Sequence, residues 1–386
     1  MPVEKVAVKR IKLTNFRSYA ALCTDFDDRH VVLTGPNGAG KTNLLEALSF
    51  LSPGRGLRRA THEQVARAGS KGGDGTFALH VELLGIGGPV SIGTGIEAGP
   101  SGPETGRKLR INGAAISGSE RLLDHLRAIW LTPAMDGLFT GPASDRRRFL
   151  DRLVLALDPL HARRVSDFEK AMRARNRLLE EIRPDPAWLT SVERQMAELG
   201  CAIVAGRLEF TGALAGLVGA AQGPATPFPN ASLSLAGTLE AMASSMSAGD
   251  AEDAYRNRLA DSRAKDRAAG RTLEGPHRSD LVVEHGPKQM PASQCSTGEQ
   301  KALLIGITLA HAQLVAQATG AAPVLLLDEI AAHLDPDRRA ALFDLIDALG
   351  CQAWLTGTDA HLFEAMGERA QHFSVQGDQL IKWSAV

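Results

Sequence analysis

Gly35-Pro-Asn-Gly-Ala-Gly-Lys-Thr42 constrains this chain more than any other part of its 386 residues. A short apolar run, His30-Val-Val-Leu-Thr34, precedes it and reads as a buried strand. Leu44, Leu45, Leu48 and Leu51 follow at the spacing of one helix face. A glycine-rich turn between a strand and a helix, in the pattern GxxxxGK[ST], is a phosphate cradle. Gly35, Gly38 and Gly40 let backbone N–H groups turn inward, with Pro36, Asn37 and Ala39 carrying the loop between them. The helix that follows aims its positive end at the phosphates. Lys41 is expected to bridge the β- and γ-phosphates and the Thr42 hydroxyl to ligate Mg²⁺. The chain therefore reads as binding ATP with Mg²⁺. A glycine-rich turn that binds nothing is the plainer alternative, and other segments weigh against it.

Val324-Leu-Leu-Leu327 is a continuous apolar run, as in a buried parallel strand, and it ends in Asp328 and Glu329. Ligands of α/β sheets bind at such strand ends. Asp328 is expected to hold Mg²⁺ through water, and Glu329 to orient or deprotonate an attacking water. An acidic helix cap is the alternative. The two motifs lie roughly three hundred residues apart, wider than in Ras-like or RecA-like ATPases. That gap suits the ABC class, in which a helical segment interrupts the ATPase head. The class also predicts a signature shortly before the acidic strand. Cys295-Ser-Thr-Gly-Glu-Gln-Lys301 resembles LSGGQ, with Thr297 at the first glycine. Ser296 and the Gly298 backbone would grip a γ-phosphate bound to the other subunit, which makes Ser296 a catalytic candidate beside Glu329 and Lys41. The alternative is an ordinary serine-capped helix.

Composition removes several classes. Hydrophobic residues make up 44% and charged residues 23%, a globular mixture. A formal net charge of −1 gives no global pull toward nucleic acid, so DNA contacts must be local. Aromatics at 5% advertise no base-stacking platform. Cys23, Cys201, Cys295 and Cys351 have no zinc or CxxC spacing and read as reduced thiols of a cytoplasmic protein. Glu4, Lys5, Lys9 and Arg10 interrupt the apolar start, so no secretory leader is expected. No membrane span is expected either: Cys201–Ala221 comes nearest but carries Arg207 and Glu209, and reads as a buried helix. There is no internal repeat.

Along the chain, Val6–Leu13, Phe77–Leu84, Val90–Ile96 and Lys108–Ile116 read as strands, with a loop over Glu97–Gly106. Ser144 is expected to cap a helix that includes Phe149, Leu150, Leu153, Val154 and Leu157. Further helices are expected over Leu160–Arg183, Ala187–Leu217 and Glu252–Ala269, a linker over Gly223–Pro229, and a strand at Leu281–Val283. The fold class that follows is α/β: an ABC-type ATPase head, a P-loop NTPase, built from residues 1–130 and 268–386 with an inserted mainly helical lobe at 131–267. These helices are too short for a coiled-coil arm.

With these motifs in place, the chain resembles the RecF family of bacterial DNA-repair ATPases, relatives of SMC proteins, over nearly its whole length. Leu13-Thr-Asn-Phe-Arg-Ser-Tyr19 is similar to the family's N-terminal motif. Pro133 through Gly141-Pro-Ala-Ser-Asp-Arg-Arg-Arg-Phe-Leu-Asp151 is similar to its central signature. Gly275-Pro-His-Arg-Ser-Asp-Leu281 and Asp328-Glu-Ile-Ala-Ala-His-Leu-Asp335 are similar to two further segments. The resemblance implies that Arg17 and Asp335 join the nucleotide site and that ATP drives a homodimer. It implies binding of double-stranded and gapped DNA, with RecR as partner and RecO and RecA beyond it, in gap repair, replication restart and SOS induction. The alternatives are a transporter ATPase subunit, which would carry a switch histidine, and an SMC-like tether, which would carry long heptads. Two departures stand out. Ala134 occupies a usually acidic place, with Asp136 two residues on, and Ala353-Trp-Leu-Thr-Gly-Thr-Asp359 ends without a switch histidine. This leaves Thr358, Asp359 or His361 to sense the γ-phosphate. Basic clusters at Arg55/Arg58/Arg59, Arg146–Arg148, Arg163/Arg164, Arg173/Arg175/Arg177 and Arg256/Arg258/Arg263/Lys265/Arg267 are either DNA-facing or salt-bridged faces.

Overall fold

The structure, a computed structural model, describes residues 3–67, 75–99, 102–103, 106–220 and 227–383. The chain forms two compact units: Met1–Asp136 with Ala225–Phe228 and Thr308–Val386, and Gly137–Pro224 with Pro229–Ile307. The expected linker over Gly223–Pro229 lies mostly outside the described residues.

The first unit holds two six-stranded sheets. One is mainly parallel, in the order Ala128–Leu131, Val324–Leu327, Ala353–Gly357, His30–Thr34, Ala370–Gln376, with Gln379–Trp383 antiparallel at its edge. Val324–Leu327 is buried at every residue, as its unbroken apolar sequence requires of a strand covered on both faces. The second sheet is antiparallel, in the order Ala114–Ala115, Lys108–Ile111, Gly88–Ile96, Phe77–Gly85, Ala7–Phe16, Tyr19–Asp25. Part of the expected loop over Glu97–Gly106 is instead a small hairpin, Ala98–Gly99 paired with Gly102–Pro103. The helix Lys41–Ser49 contributes Leu44, Leu45 and Leu48 to the same core as Leu13 and Phe16 of the antiparallel sheet and Val31, Leu33 and Trp354 of the parallel sheet. Phe16, Phe50 and Phe77 meet edge to face at 5.7–6.0 Å between ring centroids. Burial of each such side chain stabilises by about 1.5–3 kcal/mol, so the phosphate loop is mounted on one of the firmest parts of the unit.

The second unit contains the helices Ala143–Leu155, His161–Glu180, Pro186–Ala220, Thr238–Ser245, Ala248–Asp261 and Arg263–Ala269. Their core joins Phe168, Leu178, Met196, Val204, Tyr255 and Leu259. Several expectations change here. The boundary expected at 268 falls at Ile307 instead, because Asp280–His285 pairs with the unexpected strand Ala231–Ala236. A short sheet therefore belongs to the lobe. Residues 131–136 belong to the first unit, where Leu131 pairs with Leu327. Pro142 occupies the N-cap position of helix Ala143–Leu155 with no side-chain cap, and Ser144 lies inside the helix. The single helix expected over Glu252–Ala269 is broken at Ser262. Two helices, Pro186–Val218 and Thr297–Thr319, are by length and composition long and apolar enough to cross a membrane, a property that core helices share. In the first of them Glu193 and Arg207 are buried in ion pairs with other residues of the unit, as befits a core helix.

The two central motifs of the sequence clamp each other inside this unit. Arg146 grips Asp280 through Nε and Nη2 at 2.7 and 2.8 Å, and Arg147 donates to the Ser279 carbonyl at 2.6 Å. Arg207 grips Asp151 at 2.8 and 2.9 Å and donates to the Pro276 carbonyl at 2.7 Å. Burial pushes the Asp151 carboxyl up, but its hydrogen bond with His161 and the charge of the Arg207 guanidinium outweigh this and hold it below its ordinary range. Arg175, fully buried, bonds Glu193, Asp266, Thr272 and the Leu259 carbonyl. Most of the remaining basic clusters are also paired: Arg58 with Glu46, Arg148 with Asp145, Arg163 with Asp167, Arg164 with Asp158, Arg173 with Glu169, Arg256 with Asp253, Arg258 with Glu274 and Arg263 with Glu193. Apart from the two whose carboxylates are buried, Glu46 and Glu193, these are surface pairs, which hold little energy and can exchange one partner for a phosphate. Arg175 and Arg207 are committed to the interior.

Candidate nucleotide site

Gly35, Gly38 and Gly40 have φ of +146°, +81° and +110°. A side chain would strain each of them. At Gly35 a Cβ would also lie 2.7 Å from the Val375 carbonyl oxygen, and at Gly40 it would lie 2.8 Å from Ser18 Oγ. The loop is thus pressed onto Val375 of the sheet behind it and onto Ser18. Lys41 is buried, and its Nζ donates to the carbonyls of Gly35 and Pro36 at 2.7 and 3.0 Å. Burial lowers its pKa, and the charges of Glu329 and Asp328 act in the opposite sense.

The N-terminal motif serves this loop, a role its sequence does not disclose. Tyr19 is wholly buried and its hydroxyl donates to the Gly40 carbonyl at 3.1 Å. Ser18 Oγ accepts from Asn43 Nδ2 at 2.8 Å. Arg17 holds the buried Glu46 through Nε and Nη2 at 2.8 and 2.6 Å, and Arg58 binds the same carboxylate at 2.9 Å. Arg17, expected at the nucleotide, is engaged with the body of the phosphate-loop helix.

Thr42 and Asp328 come together as expected: Thr42 Oγ1 donates to Asp328 Oδ1 at 2.9 Å. The buried Thr356 hydroxyl donates to the same oxygen at 2.7 Å and accepts from the Glu329 backbone N–H at 2.9 Å. Thr356 is the residue that sequence reasoning missed. Strand order explains its place, because Ala353–Gly357 lies between the strand that ends in the phosphate loop and the strand that ends in Asp328. Glu329 is half-buried with φ +52°, a left-handed conformation that few non-glycine residues adopt.

The segments proposed to sense a γ-phosphate have other contacts. Asp359 accepts from the His361 N–H at 3.0 Å, and exposed His361 pairs with Glu364, which raises its pKa. Thr358 is exposed. Asp335 caps the helix Pro336–Ala348 by accepting from the Arg338 N–H at 2.8 Å. Ala134 is exposed in a short turn, Pro133–Met135.

In the second unit, Ser296 forms a capping box with Glu299. Glu299 Oε2 accepts from the Ser296 N–H and hydroxyl, both at 3.0 Å, and the Ser296 hydroxyl accepts from the Glu299 N–H at 3.4 Å. Lys288 first, and Ser296 after it, lower the Glu299 pKa to about 2. The serine-cap reading is therefore realised within the chain. Gly298 is different: it is exposed, and a Cβ there would meet nothing within 4 Å.

Among the described residues, no three His, Cys, Asp or Glu side chains form a metal cage. The oxygens of Thr42 and Asp328 fit an ion that takes its remaining ligands from phosphate and water, as Mg²⁺ does. The four cysteines are free thiols.

The family model for the RecF/RecN/SMC N-terminal domain matches residues 7–380. The DNA replication and repair protein RecF of Rhizobium meliloti (strain 1021) is 59% identical over 371 residues, covering 96% of this chain and 97% of that protein. A solved structure of the recombination mediator protein RecF with ATP, in the RecFOR pathway, superposes with a TM-score of 0.82 at 21% identity, over 98% of this chain and 99% of that one. An SMC head domain from Pyrococcus furiosus has the same kind of fold, with a TM-score of 0.54 at 16% identity, over 98% of this chain and 96% of that one. An α/β ATPase head of the ABC type and 59% identity over nearly the full length lead to the same place: this chain belongs to the RecF proteins of the RecF/RecN/SMC family.

Proposed function

We propose that this chain is an ATP-dependent DNA-binding repair protein that dimerises on ATP and hydrolyses it weakly. It binds duplex DNA at gaps and single-/double-strand junctions and supports RecR- and RecO-mediated RecA loading in the cytoplasm. The observation that carries the reading is the meeting of Thr42 and Asp328, with Lys41 and Glu329 beside them, at the ends of the two strands that flank Ala353–Gly357, in a chain of the RecF family.

In this reading Gly35–Gly40 and Lys41 hold the phosphates, Thr42 and Asp328 hold Mg²⁺, and Glu329 orients or deprotonates the water. Bound Mg²⁺–ATP supplies the scissile phosphoanhydride and the cation that offsets its charge. Lys41 suits the task because its ammonium is bonded to carbonyls that phosphate oxygens can replace. Arg17 is a positioning residue that holds the phosphate-loop helix through Glu46.

Gly298 supports a composite site. Gly298 is the second residue of its helix, and among the described residues a Cβ there would meet nothing within 4 Å. A glycine there leaves room for close approach by a second molecule, here the nucleotide on the other protomer. The prediction is that Ser296→Arg leaves ATP binding by the monomer intact but blocks ATP-driven dimerisation and hydrolysis. Ser296→Ala, which loses the same cap at a cost of about 1 kcal/mol without adding bulk, controls for stability. Equal loss of ATP affinity in Ser296→Arg would place Ser296 in its own protomer's pocket.

The test of the whole reading is a binding series with duplex, gapped and single-stranded DNA, with and without ATP. Binding should favour duplex-containing DNA, require ATP and fall steeply with salt, since contacts are led by phosphates. A protein that stays monomeric with ATP and ignores DNA at low salt would end it.

A further inference from the structure

We infer that Thr356 is a positioning residue that sets the metal-holding carboxylate and the catalytic glutamate together. The inference rests on the nucleotide-site reading above and deepens it.

Thr356 sits in the strand Ala353–Gly357, where every residue is buried and Ala353, Trp354 and Leu355 are apolar. Valine has the same shape and suits such a strand at least as well. A hydroxyl in that place is tolerated only if it is satisfied, because an unpaired one is costly in an apolar interior. Here both of its capacities are used. The Glu329 N–H at 2.9 Å takes a lone pair, so the single hydroxyl proton goes to Asp328 Oδ1 at 2.7 Å. Thr42 donates to that same oxygen at 2.9 Å. Asp328 is thus pinned through Oδ1 by two hydroxyls, one from the phosphate-loop helix and one from the strand between the two motifs.

The second consequence falls on Glu329. Its φ of +52° is a conformation that an ordinary side chain disfavours. Such residues persist where neighbours over-determine them. The bond from its N–H to Thr356 is the tether, and it fixes where the chain turns immediately after Asp328. One hydroxyl therefore holds the orientation of the Asp328 carboxylate and the backbone angle from which the Glu329 side chain departs. Thr356 does not touch the reacting atoms in this scheme. It acts through its two neighbours.

The experiment compares Thr356→Val and Thr356→Ser with the unchanged protein. ATP is titrated at equilibrium with and without Mg²⁺, and hydrolysis is followed at saturating ATP. In Thr356→Val, affinity for ATP without Mg²⁺ should stay within about 3-fold. The gain in affinity on adding Mg²⁺ should shrink about 10-fold, and turnover should fall about 10- to 100-fold, the scale of one or two buried hydrogen bonds. Thr356→Ser keeps the hydroxyl and should restore both to within about 3-fold. A valine variant with an unchanged Mg²⁺ effect and unchanged turnover overturns the inference. So does a valine variant that loses Mg²⁺-free ATP affinity and is not rescued by serine, since that is a packing defect. An unchanged protein that binds no ATP overturns the nucleotide-site reading itself, and this inference with it.

Discussion

Lys41→Ala should abolish ATP-driven dimerisation and ATP-dependent duplex binding, and should lower hydrolysis by at least about 10²- to 10³-fold, the usual loss when a charge-stabilising donor is removed from a transition state. Lys41 is buried, and its ammonium donates to the Gly35 and Pro36 carbonyls at 2.7 and 3.0 Å. Those bonds are weak competitors for the highly charged triphosphate of ATP. The variant should fold normally, because the glycine turns and the Tyr19 contact that shape the loop do not depend on the lysine. Sedimentation with and without ATP, paired with duplex binding, checks the result. A variant that still dimerises and binds duplex on adding ATP would show that the loop is not the switch.

Arg175→Met should cost the second unit about 3–5 kcal/mol of unfolding free energy, the range for removing one member of a buried ionic set. The guanidinium is fully buried and bonds Glu193 at 3.0 Å, Asp266 at 2.7 Å, Thr272 at 2.9 Å and the Leu259 carbonyl at 2.6 Å. Glu193 keeps Arg263 after the change, but Asp266 is left with the Ser262 hydroxyl and the Leu273 N–H. Asp266 therefore carries most of the penalty. Adding Asp266→Asn should recover part of it, because the surplus charge is gone. Denaturant unfolding with a probe in each unit is needed, since two units need not melt together. A loss below about 1 kcal/mol would mean that water reaches the site and that the network is not the lobe's keystone.

The fate of the arginines shows how far a pattern can be read. Arg173, Arg175 and Arg177 form one basic run in the sequence. The fold separates them: Arg175 faces the interior, and Arg173 pairs with Glu169 at the surface. Periodicity alone cannot distinguish a DNA-facing arginine from a buried one, because both occupy helix positions and differ only in what packs against them. Asp335 and Ser296 teach a related lesson. Both were expected to contact nucleotide, and both cap helices within the chain. Capping and phosphate binding draw on the same chemistry, N–H groups at a helix start, so the sequence signal is shared.

The sequence by itself determined the phosphate loop, the acidic strand end and the α/β class, because each rests on local chemistry. Glycines are needed where φ is positive, an apolar run is needed where a strand is covered on both faces, and a lysine and a threonine must follow the turn. Only the tertiary structure decided what surrounds them. It inserted the strand Ala353–Gly357 between the two motifs and so brought Thr356 to Asp328 and Glu329. It moved the lobe boundary from 268 to Ile307 by pairing Asp280–His285 with Ala231–Ala236. Both outcomes depend on strand order and pairing between distant segments, which no local pattern encodes.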